Sequence, residues 1–173
     1  MVVPLFQEEI KKIPDCLPSE VKEFIKNLGQ DFAGKKQEEV FTYLSVKGLP
    51  PKLLVIGCGE KEKYNGALAR EIGGKIGKQV KQHKIEELTI FSPPDYFIDL
   101  FEGLLLIQYD IGYLKTNQKK EPKLEQIDII VEKKAADLEE KLTRSMVICE
   151  EIASVKNMVN SPANYISAEY MAG

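Results

Sequence analysis

Apolar residues along this chain alternate between short continuous runs and stripes of helical period. Residues 2–6 (VVPLF) read as a first strand, in which Pro4 removes a ladder donor and suits a sheet edge or a strand start. A helix follows with Pro18 in its first turn. Leu17, Val21, Phe24, Ile25 and Leu28 share its buried face, Glu20 lies near the positive end, Lys26 near the negative end, and Gly29 is placed to stop it. Residues 40–46 form a strand candidate with Phe41, Tyr43 and Ser45 on one face. Residues 53–58 (LLVIGC) are apolar without a break and run into glycine, the pattern of a strand covered on both faces in a parallel sheet.

The next helix starts at about Lys61 or Asn65 and ends at Gln82. Leu68, Ile72, Ile76 and Val80 make its stripe, flanked by Ala69, Gly73 and Gly77. A mid-helix glycine costs roughly 1 kcal/mol relative to alanine. Close approach to the sheet would offset that cost, so Gly73 or Gly77 is predicted to point inward. Residues 88–91 form another buried strand, ended by Pro93 and Pro94. Asp95 fits the N-cap of an apolar helix through Phe97, Leu100, Phe101, Leu104 and Leu105. Residues 109–115 read as extended, 115–123 as a charged loop and 124–131 as a last strand. A long helix then covers residues 134–159, with Leu138, Leu142, Met146, Cys149, Ile152 and Ala153 on one face. Pro162 disfavours helix at Ser161 and stops it near Asn160.

Strands alternating with helices predict an α/β fold: three layers, a mainly parallel or mixed sheet, helices on both faces. The composition fits a soluble globular chain. It has 173 residues, 43% hydrophobic and 29% charged, and a net charge of −3, which argues against a nucleic-acid partner. No apolar run approaches the ~18 residues of a membrane span, and residues 1–9 lack a basic leader, which places the expected compartment in the cytoplasm. Cys16, Cys58 and Cys149 are far apart within apolar stretches and read as reduced core thiols.

Motifs for chemistry fail one by one. Gly57-Cys58-Gly59 joins a buried strand to a helix, but Glu62 stands where a dinucleotide fingerprint needs its third glycine, and Glu60 and Glu62 would repel a pyrophosphate. The segment from Gly29 through Gly34 and Lys35 has P-loop spacing, yet Lys36 replaces the magnesium-holding hydroxyl and the preceding segment is helical. His83, the one histidine, has no companion carboxylates or cysteines and reads as a surface residue. Tyr96, Tyr109, Tyr113, Tyr165 and Tyr170 read as packed rings with exposed tips. No catalytic, cofactor-binding or metal-ligating residue is assigned.

The final segment, NMVNSPANYISAEYMA (residues 157–172), resembles the entry to the catalytic domain of leucyl (cytosol) aminopeptidases, approximately L-V-N-T-P-A-N-x-x-T-P-x-x-L-A. Val159, Asn160, Pro162, Ala163, Asn164 and Ala172 match; Ser161 and Ala168 replace the usual threonine and proline. Residues 31–38 (DFAGKKQE) are similar to the family's D-F-x-G-K-x-G-E segment, and residues 52–61 to its strand and glycine turn. Residues 102–116 resemble a segment of roughly G-x-x-L-x-x-Y-x-F-x-x-Y-K, with Ile111 for the phenylalanine and Leu114 between Tyr113 and Lys115.

The resemblance implies a non-catalytic, macro-domain-like N-terminal unit over residues 1–133, a linker helix over 134–159, and the truncated start of the peptidase domain over 160–173. Ser167 and Glu169 would open a helix that one turn cannot sustain, so the expectation is the front of a longer enzyme. In that parent the family implies a hexamer in which two divalent metals, zinc or manganese, activate water to release N-terminal residues from peptides. The metal ligands lie in segments such as N-T-D-A-E-G-R, which this sequence lacks, so no cofactor is expected in the chain itself. Its expected partners are its own catalytic domain and further copies; peptide substrate belongs to the parent alone. A macro-domain-type module binding ADP-ribose or a related nucleotide through residues 57–59 is the alternative.

Overall fold

The computed structural model describes residues 1–36, 38–91, 95–110, 123–131 and 137–162. Five strands and four α-helices lie among them, in the order β1 (Val2–Phe6), α1 (Ser19–Leu28), β2 (Glu39–Tyr43), β3 (Lys52–Gly59), α2 (Gly66–Gln82), β4 (Glu87–Phe91), α3 (Phe97–Ile107), β5 (Gln126–Ile130) and α4 (Leu138–Asn160). The strands form one sheet in the order β2-β3-β1-β4-β5. Every neighbouring pair is parallel except β2 with β3.

Alternation along β3 divides the core into two layers. Leu53 and Val55 join Val3, Leu5, Val21 and Ile25 beneath α1. Leu54 and Ile56 join Val2, Ile72, Ile76, Leu88, Ile90, Leu100 and Leu104 beneath α2 and α3. Residues 53–58 are all buried, as a strand covered on both faces requires. The three-layer α/β expectation holds.

Pro4 is not at an edge, because β1 is the central strand. The Met1 ammonium donates to Lys52 O (2.9 Å) and Met1 O accepts from Leu54 N (3.0 Å), so odd positions of β1 direct their polar groups to β3 and even positions to β4. The missing N–H of Pro4 therefore falls on the β4 side. Among the described residues Val2 pairs with Ile90 there, while pairing with β3 runs the length of the strand. Pro4 thus keeps its place opposite Ile56 in the β1–β3 ladder and gives up a donor only on the other side.

Two helix starts differ from expectation. Pro18 is the N-cap of α1 and not a residue of its first turn. Tyr96, not Asp95, caps α3, in a left-handed conformation (φ 56°) and without a side-chain cap bond. Such a backbone costs a non-glycine residue about 1–2 kcal/mol, and the Tyr96 ring packs edge-on against Tyr64. α2 has an orthodox start, with Asn65 Oδ1 accepting from Leu68 N at 3.1 Å.

Gly73 and Gly77 face inward as expected, but they meet α3 and not the sheet. A Cβ on Gly73 would lie 1.9 Å from Leu100 O, and one on Gly77 would lie 2.1 Å from Ile107 Cγ2. The arrangement is reciprocal, since a Cβ on Gly103 of α3 would lie 2.0 Å from Arg70 O. Two helices thus touch backbone to backbone, which only residues without a Cβ permit.

The buried face of α4 also differs. Ser145 and Cys149 are its buried residues, Leu138 and Leu142 pack partly against the core, and Met146 and Ile152 are 46% and 37% exposed. Residues 138, 142, 145 and 149 follow the helical period more closely than a run through 146. α4 ends at Asn160 with Ser161 extended (φ −76°, ψ 140°), as Pro162 demands. Cys16 is exposed in a turn before α1 and is not a core thiol, unlike Cys58 and Cys149; none is in a disulfide. The readings of 111–122 and of Pro93 and Pro94, and the motif beyond Pro162, lie outside the described residues.

Candidate functional site

The glycines expected to form a turn, Gly57 and Gly59, are instead the last residues of β3, at the strand end where an α/β sheet of this kind offers backbone N–H groups to a phosphate. Here they are already engaged. Gly57 N donates to Glu38 O (2.8 Å) and Gly59 N donates to Gly34 O (2.9 Å). The space is filled as well: a Cβ on Gly57 would lie 2.1 Å from Lys35 O. Residues 34–36 and Glu38 of the same chain lie against these glycines, which argues against residues 57–59 as a nucleotide cradle. Gly57 is needed for this contact, and Gly59 for its positive φ of 80°.

The P-loop look-alike, residues 29–36, overlaps that covering stretch. Its N–H groups do bind an anion, the carboxylate of Glu38: Oε2 accepts from Ala33 N (2.9 Å) and Lys35 N (3.0 Å). A residue four positions beyond Gly34 therefore satisfies donors that would otherwise seek a phosphate. Lys36 forms an ion pair with Glu71 of α2 at 3.0 Å.

The remaining candidates are structural. His83 is the C-cap of α2 and stacks on Phe41 (3.8 Å between centroids, 7° between planes), while its carbonyl accepts from Lys52 Nζ. Burial pushes the Cys58 thiol up to about 12, with the nearby Glu9 carboxylate adding to the shift, so it is no nucleophile at neutral pH. Tyr64 is 6% exposed, its hydroxyl has no partner, and burial raises its phenol well above the ordinary value. Of the other tyrosines, Tyr96 is exposed and the Tyr109 hydroxyl accepts from Asn160 Nδ2 at 3.2 Å; Tyr113, Tyr165 and Tyr170 lie outside the described residues. Among the described residues no group of three His, Cys, Asp or Glu side chains is placed to hold a metal ion.

The polar cluster that sequence reasoning missed joins three helices. Arg70 Nη2 (α2) donates to Asp99 Oδ1 (2.6 Å) and Glu102 Oε2 (2.8 Å) of α3. Glu102 Oε1 accepts from Ser145 Oγ of α4 (2.8 Å), and Ser145 is 2% exposed. Hydrogen bonding to Glu102 raises the Arg70 guanidinium above its ordinary value. Beside it an open cleft of about 550 Å³ runs between α3 and α4, bordered by Tyr96, Asp99, Glu102, Lys141 and Arg144. The cluster ties α4 to α3: one guanidinium faces two carboxylates, and the second oxygen of Glu102 is taken by Ser145. Its only sequence signal is Ser145 falling on the 138-142-145-149 line.

What these elements define is a three-layer α/β domain on a five-stranded, mostly parallel sheet. Residues 5–118 match the cytosol aminopeptidase family, N-terminal domain. The chain belongs to that family. It is similar to a probable cytosol aminopeptidase of Chlamydia abortus, 25% identical over 99% of this chain and 36% of that protein. Among solved structures it is similar to a tomato leucine aminopeptidase mutant (TM-score 0.73, 15% identity, 99% of this chain and 37% of the other). It is also similar to the bottromycin maturation enzyme BotP in complex with Mn (TM-score 0.68, 13% identity, 99% and 34%). The chain spans about a third of the length of these proteins. No described helix is long and apolar enough to cross a membrane.

Proposed function

We propose that this chain is the non-catalytic N-terminal domain of a metal-dependent leucyl aminopeptidase, serving assembly and control of access to an active site carried elsewhere in the polypeptide. In this reading residues 1–133 form the domain, 134–159 the linking helix and 160–173 the entry to the peptidase part. The whole protein would be a cytoplasmic oligomer, a hexamer as in its family, that releases N-terminal residues from peptides. The observation that carries the reading is the match of residues 5–118 to a domain defined by its N-terminal place in these enzymes, together with coverage of only 36% of a full relative.

Two divalent ions would supply the water-activating chemistry in the parent; manganese accompanies one structural neighbour. The described residues do not fit such a pair, because no cluster of carboxylates and imidazoles is present among them. No step of hydrolysis is assigned to them. The nucleotide-binding alternative is opposed by residues 34–36 and Glu38, which lie against residues 57–59. Calorimetric titration with ADP-ribose should give no isotherm; saturable micromolar binding would overturn the assignment. Translation of the gene beyond Gly173 should reveal N-T-D-A-E-G-R or a close variant within roughly one further domain length, and its absence would count equally against the reading.

A further inference from the structure

Helix α4 carries two apolar stripes, and α3 covers only one. At 100° per residue, Ile148, Ile152, Val155 and Val159 line up about a quarter-turn from the covered face through Ser145 and Cys149. Their spacing is the four-three-four of a helix side meant for burial. They are 42%, 37%, 56% and 78% exposed. Towards the helix N-terminus the same side turns charged, with Lys141 and Arg144. The apolar surface is therefore confined to the last three turns, over about 17 Å.

Two observations select the occupant. Similar proteins are nearly three times as long as this chain, and α4 lies C-terminal to the matched domain of residues 5–118. A single stripe of this length is also small beside the ~800 Å² per partner that a stable dimer of separate chains buries. A tethered domain needs far less area, because linkage supplies a millimolar effective concentration.

We propose that the Ile148–Ile152–Val155–Val159 stripe is the seat of the peptidase portion of the same polypeptide, which buries it with an aliphatic surface of its own. The inference rests on the functional reading above. It is tested by placing a reporter thiol at Val155→Cys in a Cys16→Ser background, where Cys58 and Cys149 remain buried. Maleimide labelling is then followed in the 173-residue chain and in the complete product of its gene.

The shorter chain should label rapidly. The complete protein should label at least tenfold more slowly, to the same degree at nanomolar and at micromolar protein. A thiol placed at Glu140→Cys, on the charged half of α4, should label alike in both. Equal rates at Val155→Cys would overturn the proposal, as would equal slowing at both positions. Protection that vanishes on dilution would overturn it in favour of a second copy. Aminopeptidase activity on the same sample separates the two readings: activity without protection rejects the docking and leaves the functional reading standing.

Discussion

The contact between α2 and α3 makes the sharpest mutational prediction. Gly73 and Gly74 are adjacent in one helix, yet their surroundings are opposite. A Cβ on Gly73 would lie 1.9 Å from Leu100 O, 2.8 Å from Leu100 C and 3.0 Å from Leu104 N, whereas one on Gly74 meets only Gly103 O at 4.0 Å. Alanine at either position gains up to about 1 kcal/mol of helix propensity. At Gly73 the obstacle is backbone, so no rotamer change relieves it. Ordinary contact begins near 3.4 Å, and the helices must part locally by about 1.5 Å. Overpacking of this kind costs typically 1–3 kcal/mol and occasionally more; with backbone on both sides the upper end applies, and the net loss should be about 2–3 kcal/mol. Gly74→Ala should be neutral or stabilising by up to about 1 kcal/mol. The chain has no tryptophan, so urea unfolding followed by circular dichroism at 222 nm is the assay. A Gly73→Ala midpoint equal to or above that of Gly74→Ala would refute the close-contact argument.

Three smaller predictions use the same assay. Ser145→Ala removes the bond that Ser145 Oγ donates to Glu102; a loss of about 1–2 kcal/mol is expected, and an unchanged midpoint would deny the cluster a part in seating α4. Tyr64→Phe deletes a buried hydroxyl that has no partner, so it should be neutral or stabilising by about 1 kcal/mol; a clear loss of stability would mean the hydroxyl is satisfied in solution. Desolvation lowers the Met1 ammonium from 8.0 to about 6, so between those values the unfolded chain binds the extra proton. Stability should therefore rise by about 2 kcal/mol at most from pH 6 to pH 8 and level off above; a flat or falling profile across that window, with the N-terminus free, would contradict the buried placement.

Periodicity made much of the fold legible. The LLVIGC run, the α1 face through Val21 and Ile25, and the 68-72-76-80 stripe each follow from local spacing. What stayed hidden depended on partners distant in sequence. Gly73 was readable as inward-facing, but nothing local says that its neighbour is Leu100 of α3 and not a strand. Pro4 suited an edge because sequence does not reveal that β1 is the central strand, with the missing donor turned away from β3. Gly57-Cys58-Gly59 resembled an open cradle, and only the fold shows residues 34–36 and Glu38 lying against it. Ser145 was passed over because serine carries no apolar signal, and its burial depends on Glu102. Family membership was legible in short matches; the most specific of them lies mostly beyond the described residues, and the match over 5–118 stands apart from it.

The central claim, a domain of an aminopeptidase family that does not itself perform the hydrolysis, meets its most direct test in a single assay. The purified 173-residue chain is incubated with leucine p-nitroanilide in the presence of manganese. No turnover above buffer is expected. Hydrolysis that persists through repurification and scales with the amount of this chain would contradict the claim.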